Sequence, residues 1–418
     1  MNPTNFSPKD WEWLVSDEAA DLLSLPELAT LETFRCLVVL REKYGLSAER
    51  ASLVALQFSC RQRAVRSFSN PERMFFLPTS LEQATDEWVA AYKAARFPAQ
   101  VPVADICCGI GGDLMALAKR GPVIGVDCDA MVARLAQKNL ETVPEAGDST
   151  VLAMTAEAFL ETYPAERFPC LHIDPDRRAE GVRTARMEFS APGVETIDRL
   201  LEGRRLVALK LAPGNPCGNG EGEILERWGD RLLELEWIGR DRQCRQLVAW
   251  FGNAEMKQAW EPETRWATIL PPHDSRPLRR LAGSAEKPLP PAELPGKFLF
   301  DVDSTVLAAK LEGTLAEEYA LRAAFPGSIY LTGDCPITDD AALECFEVLE
   351  ILPFDRKRLK RAIAERNWGI LEIKKRGATP TPEEVRKLLK LPKNKHAGTL
   401  LLAQTSAGVV AVLAQRVG

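Results

Sequence analysis

The stretch Val103-Ala-Asp-Ile-Cys-Cys-Gly-Ile-Gly-Gly-Asp113 decides the fold of this chain. Val103–Ile106 has the apolar character of a short buried strand, and the residues that follow Asp113 continue in a helical pattern. The glycines of the quoted run lie between the strand and the helix, where a glycine turn lets the backbone approach a nucleotide-like ligand. The stretch therefore predicts an open α/β sheet with a ligand bound at this turn.

The next strand, Val123–Val126, ends in Asp127, which lies 18 residues after Gly109 and is placed as a ribose-binding carboxylate would be. Two cofactor classes share this layout. The dinucleotide fingerprint G-x-G-x-x-G needs a third glycine where this chain has Leu114. The form D-x-x-x-G-x-G, with Asp105 ahead of the glycines, resembles motif I of the class I S-adenosylmethionine-dependent methyltransferases. We favour the methyltransferase over a nicotinamide enzyme.

That resemblance implies a Rossmann-like α/β core and S-adenosylmethionine as cofactor. Asp127 would accept hydrogen bonds from both ribose hydroxyls, and the residues after the third strand would contact adenine. The candidate cofactor-binding residues are Asp105, Cys107, Gly109, Gly111, Asp127, Cys128, Thr155, Ala156 and Glu157.

The segment Asp174-Pro-Asp-Arg-Arg178 follows the fourth predicted strand and resembles motif IV of that family. Enzymes that methylate base amino groups have D/N-P-P and an aromatic residue there, so Asp176 and Arg177 depart from their pattern. The 5-methyluridine RNA enzymes use D-P-P-R together with a cysteine in an S-C-N-P turn. Here Cys217 follows Asn-Pro instead of preceding it, which makes a covalent mechanism the minority interpretation.

We nevertheless expect chemistry at this edge of the sheet. A carboxylate there would hold the acceptor or take its proton, and arginines would clamp a phosphate. The candidate catalytic residues are Asp174, Asp176 and Arg177, and the candidate substrate-binding residues nearby are Arg178 and Lys210.

Apolar periodicity predicts helices through residues 1–70, a further helix over Leu81–Ala95, and alternating strands and helices from residue 101. Trp266–Leu270 is expected to add an edge strand. Seven prolines within residues 271–296 indicate a linker. The predicted organisation is a helical N-terminal domain over 1–75, a methyltransferase domain over 76–272, a linker over 273–296, a small ferredoxin-like module over 297–350 and a final domain over 351–418.

The final domain resembles the THUMP-like domain at the C-terminus of a group of bacterial methyltransferases. Asn367–Gly377 and Leu391–Gly398 carry that resemblance. THUMP domains proper bind structured RNA. Residues 351–400 hold 14 Lys and Arg against 5 Asp and Glu, although the whole chain has a net charge of −6. The alternative explanation of that charge is a solvated helix face. We expect Lys374, Lys375 and Arg376 to contact RNA phosphates.

A rival pattern, D-x-D-x-T, begins at Asp301 and resembles the nucleophile motif of haloacid-dehalogenase-type phosphatases. Its acidic partners at Asp334 and Asp339 follow too closely to enclose that family's core, so we interpret the match as a coincidence.

Composition excludes several classes. The first residues show no signal-peptide pattern, and no apolar run is long enough for a transmembrane helix. Ten cysteines without a C-x-x-C pair argue against a zinc site and are expected to be reduced thiols in a cytoplasm. Together with the resemblances above, these observations predict a cytoplasmic S-adenosylmethionine-dependent methyltransferase with an RNA acceptor and no metal. The alternatives are an RNA-binding protein that keeps the cofactor fold without catalysis and a Mg²⁺-dependent phosphatase.

Overall fold

The computed structural model describes residues 6–179, 182–183, 190–214, 223–252, 264–377, 380–389, 391, 396–405 and 408–418. The chain forms two compact units. The first comprises Met1–Glu234, Leu247–Trp260 and His273–Arg276, and the second comprises Leu235–Gln246, Glu261–Pro272 and Pro277–Gly418. Within the described ranges, no helix combines the length and the apolar character that a membrane crossing requires.

The first unit begins with short helices, as predicted. They are α1 Pro8–Leu14, α2 Asp17–Leu23, α3 Pro26–Ala29, α4 Thr33–Glu42, α5 Ala48–Ala64, a 3-10 turn at Pro71–Arg73, α6 Pro78–Gln83 and α7 Glu87–Arg96. The apolar faces of α1 to α5 share one core with Leu135, which belongs to the helix at Ala130–Leu140. This packing explains why the N-terminal helices belong to the same compact unit as the sheet, whereas the sequence predicted a separate domain ending at residue 75.

Strands and helices alternate from residue 103, as the sequence predicted. The elements are β1 Val103–Ile106, α8 Gly112–Ala118, β2 Val123–Asp127, α9 Ala130–Leu140, a 3-10 turn at Pro144–Ala146, β3 Thr150–Ala153, α10 Ala156–Thr162, β4 Cys170–Ile173, β5 Asp176–Ala179, β6 Val182–Arg183, β7 Ser190–Ala191, α11 Val194–Leu201, β8 Leu206–Leu211, α12 Glu223–Trp228, β9 Leu232–Arg240 and β10 Gln243–Gly252.

The sheet of the first unit has the order β10-β8-β4-β1-β2-β3. The last five strands in that order are parallel, and residues 247–252 of β10 run antiparallel to β8. β1, β4 and β8 are buried along their whole length, as expected for strands covered on both faces. Because the parallel strands end at one edge, the residues after β1, β2, β4 and β8 meet there.

The second unit combines two groups of strands. Its elements after β10 are β11 Thr264–Leu270, β12 Arg279–Ser284, β13 Phe298–Val302, α13 Ser304–Ala308, α14 Glu312–Glu318, β14 Arg322–Ala323, β15 Leu331–Gly333, β16 Leu343–Pro353, α15 Arg356–Glu365, β17 Trp368–Arg376, α16 Pro382–Leu389, β18 His396–Thr405 and β19 Gly408–Val417. β11 pairs in parallel with β9 and antiparallel with β12. A seven-stranded sheet has the order β14-β15-β13-β16-β19-β18-β17.

Several predicted boundaries differ from the structure. β12 lies inside the predicted linker, and because it pairs with β11, β11 is not the edge strand we expected. β16 spans the predicted boundary at residues 350 and 351 and pairs with β13 on one side and β19 on the other. Residues 297–350 and 351–418 therefore share one sheet and do not form separate modules.

The helix predicted over Leu81–Ala95 is interrupted at Ala84–Asp86, which separates α6 from α7. Asp86 then caps α7 by accepting a hydrogen bond from the backbone N–H of Val89 at 3.1 Å. The interruption brings the backbone of Thr85 against the glycine turn. A Cβ on Gly112 would lie 2.7 Å from the Thr85 carbonyl oxygen and 3.2 Å from its nitrogen, so only glycine fits there without displacement.

A buried ion pair joins α7 to α8 beside this contact. Lys93 Nζ lies 2.8 Å from Asp113 Oδ1, and the two side chains are only 1% and 8% exposed. Burial acts to raise the pKa of Asp113, but the nearby cations, chiefly Lys93, outweigh it and hold that pKa well below the ordinary value. The carboxylate is therefore ionised at neutral pH.

We predict that Gly112→Ala lowers the free energy of unfolding by about 1–3 kcal/mol, because the added methyl group overlaps the Thr85 backbone. Urea denaturation measures the change. Gly214→Ala is the control, since the structure describes no atom within 4 Å of a Cβ at that position. Equal midpoints for the two variants would show that the Thr85 segment moves aside without cost.

A double-mutant cycle tests the buried ion pair. Asp113→Leu leaves the Lys93 ammonium without its carboxylate, and Lys93→Met does the reverse, so each should cost about 3–5 kcal/mol of folding stability. The double variant should lose clearly less than the sum. Because the pKa of Asp113 is depressed in the folded chain, the carboxylate stabilises the fold above the unfolded pKa of about 3.9, and this contribution is lost as the pH falls through the lower folded value. If urea denaturation showed that the stability losses of the two single variants add up in the double variant, the coupling between Lys93 and Asp113 would be contradicted.

Candidate active site

A cleft of about 440 Å³ opens at the carboxyl edge of the parallel strands in the first unit. Seven of the predicted site residues line it: Cys107, Gly109, Asp127, Cys128, Asp174, Asp176 and Lys210. The segment around α6 contributes further lining residues that the sequence did not indicate, namely Leu77, Thr79, Ser80, Gln83, Ala84 and Thr85. The cleft thus combines the sheet edge with a wall from the N-terminal helices of the same unit.

The turn after β1 has left-handed backbone at Cys107 (φ 60°), Gly109 (φ 55°) and Gly111 (φ 89°). A Cβ on Gly109 would meet no described atom within 4 Å, so this turn leaves open space where a ligand can approach the backbone. Asp127 fixes the turn. Its two carboxylate oxygens accept hydrogen bonds from the N–H groups of Gly109 and Asp129, each at 3.0 Å.

Asp127 keeps acceptor capacity beyond these two bonds, because an ionised carboxylate has about four lone-pair positions. Burial raises the pKa of Asp127, and the two backbone N–H groups partly offset that effect. The side chain lies at the end of β2, and its binding of two neighbouring ribose hydroxyls stays a prediction.

Asp105 does not line the cleft, although the sequence suggested that it would touch the cofactor. Its side chain is fully buried, and its Oδ1 lies 2.7 Å from His172 Nδ1. His172 Nε2 lies 2.9 Å from Lys93 Nζ. Because an ammonium only donates hydrogen bonds, Nε2 accepts, and the proton of the imidazole is assigned to Nδ1, which donates to Asp105. Asp105 therefore orients a buried histidine behind the glycine turn.

The other predicted cofactor contacts also lie outside the lining of the cleft. Gly111 is the N-cap residue of α8 and has left-handed backbone, and Thr155 caps α10 through a 3.2 Å hydrogen bond from the N–H of Ala158. Glu157 accepts a hydrogen bond from Thr196 at 2.8 Å, and that bond helps to lower its pKa. The adenine contacts of Thr155, Ala156 and Glu157 stay predictions.

Asp174 and Lys210 form the charged centre of the cleft. Lys210 Nζ lies 2.6 Å from Asp174 Oδ2, and the side chains are 9% and 26% exposed. Asp174 follows β4 and Lys210 is the penultimate residue of β8, so adjacent parallel strands bring them together. This pair can hold an acceptor N–H or O–H against a carboxylate whose charge is balanced by a lysine.

The neighbouring thiols are not activated. Burial raises the pKa values of Cys107 and Cys108 well above the ordinary value, and the carboxylates around them act in the same direction. Both cysteines are therefore protonated at neutral pH, which excludes them as thiolate nucleophiles. Cys217, the other cysteine considered in the sequence, lies outside the described residues, as do the side chains of Arg177 and Arg178.

In the second unit, two of the predicted RNA contacts pair with internal carboxylates. Lys374 Nζ lies 3.0 Å from Asp301 Oδ2, and Arg376 Nε lies 2.7 Å from Asp301 Oδ1. Lys374 also pairs with Glu344, whereas Lys375 is exposed. An RNA phosphate would have to compete with these carboxylates for Lys374 and Arg376. The same contacts give Asp301, the first acid of the D-x-D-x-T pattern, a buried structural role.

Sequence reasoning missed Lys93, Asp113 and His172. A charged residue on an otherwise apolar helix face, as Lys93 is, was the available signal, and a histidine inside the buried run of β4 was another. Neither pattern identifies its partner, because the partners come from α8 and β1 and meet only in the folded chain.

Comparison with known proteins agrees with this geometry. Residues 343–416 match the THUMP domain-like family. An uncharacterized S-adenosylmethionine-dependent methyltransferase of Mycobacterium tuberculosis (strain CDC 1551 / Oshkosh) is 29% identical over 317 residues, covering 76% of this chain and 81% of the relative. Its counterpart in strain H37Rv matches equally.

A solved structure from Porphyromonas gingivalis W83, provisionally named a methyltransferase, has the same fold. It superposes with a TM-score of 0.76 at 19% identity, over 99% of this chain and 100% of that one. The chain therefore carries a C-terminal THUMP-like domain, is similar over most of its length to S-adenosylmethionine-dependent methyltransferases, and shares its fold with a solved structure provisionally named as a methyltransferase.

Proposed function

We propose that this methyltransferase modifies RNA, with the cofactor in the cleft of the first unit and the acceptor beside Asp174. The observation that carries the proposal is the placement of Asp127 and the Asp174–Lys210 pair in one cleft. Asp127 would accept hydrogen bonds from the ribose hydroxyls of S-adenosylmethionine. The Asp174–Lys210 pair would hold the group that receives the methyl group.

The cleft fits the cofactor in three respects. Gly109 leaves space for close approach to the backbone, and Asp127 offers acceptors at the end of β2. Cys107 and Cys128 add small side chains to the lining. The cofactor supplies a methyl group that its sulfonium already activates, so the protein has chiefly to align the acceptor with it.

Asp174 would align the acceptor and take up its proton, while Lys210 balances the carboxylate charge. None of the lining residues that the structure describes is aromatic, so these residues offer hydrogen bonds from Thr79, Ser80 and Gln83 in place of a stacking surface. Asp176 also lines the cleft and is exposed. Arg177 and Arg178 keep their predicted roles as phosphate clamps.

Support for RNA comes from the C-terminal region. The match to the THUMP domain-like family covers α15, an amphipathic helix. Leu359, Ala362 and Ile363 bury one of its faces, and Arg356, Lys357 and Arg358 are exposed. Because Lys374 and Arg376 neutralise internal carboxylates, we now expect α15, together with exposed Lys375, to make most phosphate contacts.

Cofactor binding is tested with Asp127→Ala. The variant loses the acceptors for both ribose hydroxyls and the support of Gly109, so binding of S-adenosylhomocysteine should weaken by roughly 2–4 kcal/mol. Isothermal titration calorimetry measures the affinity, with exposed Asp148→Ala as the control of equal charge. Unchanged affinity in Asp127→Ala, or tighter binding of NAD by the wild type, would contradict the cofactor site.

RNA binding is tested by replacing Arg356, Lys357 and Arg358 with glutamine. Each phosphate contact contributes about 0.7–0.9 to the slope of log affinity against log salt, so the loss of three contacts should lower the slope by up to about 2–3. Filter binding of total tRNA at several salt concentrations measures it. The charge-matched control replaces Lys119, Arg167 and Arg205, which are exposed in the first unit.

Equal salt dependence of the affinity in the two triple variants would show that α15 makes no special contribution to RNA binding. If the wild type binds RNA and S-adenosylhomocysteine but leaves RNA from a strain lacking the gene unmethylated, the protein is an RNA-binding relative without this activity. Mass spectrometry of the nucleosides from that RNA would identify the modified position.

A further inference from the structure

Thr85 connects the charged centre of the cleft to the buried ion pair behind it. Its hydroxyl donates a 2.6 Å hydrogen bond to Asp113 Oδ2 and accepts one from Lys210 Nζ at 3.2 Å. The side chain is 7% exposed, so water does not replace these contacts easily. One hydroxyl thus bridges an anion inside the fold and a cation that lines the cleft.

Lys210 has all three of its donor positions occupied. The ammonium donates to Asp174 Oδ2 at 2.6 Å, to Thr85 Oγ1 at 3.2 Å and to the Gln83 carbonyl at 3.4 Å. Two of these acceptors come from the segment that runs from Gln83, the last residue of α6, to Thr85. That segment therefore determines where the ammonium lies, although Lys210 itself belongs to β8.

The bridge is anchored at its buried end. Asp113 also forms an ion pair with Lys93. Lys93 is hydrogen-bonded to His172, and His172 is hydrogen-bonded to Asp105. A continuous series of hydrogen bonds consequently leads from β1 to the cleft. Its members in order are Asp105, His172, Lys93, Asp113, Thr85, Lys210 and Asp174.

Burial makes this series rigid. Six of its seven members are less than 9% exposed as whole residues, and only Asp174 reaches further into the cleft. An isolated lysine side chain has many rotamers and fixes a carboxylate poorly, whereas an ammonium with three fixed acceptors has one position. Groups whose supporting contacts are fixed hold a reacting atom more accurately.

We propose that Thr85 is a positioning residue for methyl transfer, which acts by fixing Lys210 and through it Asp174. This inference rests on the proposed role of Asp174 beside the acceptor. Thr85 lines the cleft, but its hydroxyl binds Asp113 and Lys210 and neither reactant in this scheme. Its hydroxyl fixes the position of Lys210 relative to the buried Asp113.

The experiment compares Thr85→Val with Thr85→Ser. Valine keeps the shape and removes the hydroxyl, whereas serine keeps the hydroxyl. Methyl transfer from tritiated S-adenosylmethionine to total RNA from a strain lacking the gene gives kcat and KM. We expect kcat to fall about 10- to 100-fold in Thr85→Val, since a reacting group displaced by about 1 Å loses rate on this scale. S-Adenosylhomocysteine affinity should stay within twofold, and Thr85→Ser should restore most of kcat.

Thr332→Val is the matched control for the loss of a buried hydroxyl. Thr332 is 4% exposed, donates to the Phe298 carbonyl and accepts from the Gly296 N–H, both at 2.8 Å, within the second unit. Both valine variants should unfold at lower urea concentration, and only Thr85→Val should lose kcat in its folded fraction. A kcat of Thr85→Val equal to that of the wild type would overturn the proposal.

A wild type that methylates no RNA would refute RNA as the acceptor but would leave the role of Thr85 open. A second measurement tests in that case whether Thr85 fixes Lys210. Acetic anhydride at low dose labels lysines according to their accessibility and hydrogen bonding, and mass spectrometry compares Lys210 with exposed Lys119. Lys210 should react several-fold faster in Thr85→Val and at the wild-type rate in Thr85→Ser. Equal labelling of Lys210 in all three proteins would show that Thr85 does not hold it.

Discussion

The cleft of the first unit depends on a series of polar side chains in which each of two lysines lies between two hydrogen-bond acceptors. Lys93 separates Asp113 from His172, and Lys210 separates Asp174 from the hydroxyl that faces Asp113. Taking such groups out of water is costly, and each is tolerated only because its neighbour has the opposite charge or a complementary hydrogen bond. Neutralising one member therefore affects the others. This coupling explains how a residue deep in the fold influences the geometry at the sheet edge.

Much of the first unit could be predicted from sequence because its determinants are local. An apolar run followed by a glycine turn gives β1 and α8, and the same alternation gives β2, β4 and β8. Asp127, Asp174 and Lys210 reach the cleft for the same reason, since each stands at or next to the carboxyl end of a parallel strand. The order of the strands places these residues side by side, so no contact between other segments has to be predicted.

The remainder of the site could not be predicted, since it depends on contacts between distant segments. Asp105 stands in the motif position of a cofactor ligand but binds His172 67 residues away. The helix break at Thr85 has no glycine or proline to signal it, and it arises where α6 and α7 pack around the glycine turn. Lys374 and Arg376 belong to a basic run, yet both pair with Asp301, more than 70 residues earlier. Composition reveals the number of charges and not their partners.

The shared strand β16 has a consequence for any attempt to isolate the C-terminal region. The match to the THUMP domain-like family begins at residue 343, where β16 begins, and so excludes β13, β14 and β15. A fragment cut at that point would retain β19 on one side of β16 and expose the backbone N–H and C=O groups that β13 satisfies on the other. Unpaired sheet edges recruit other chains. The fragment would therefore tend to self-associate, whereas a fragment that begins before Phe298 would keep β13 paired with β16.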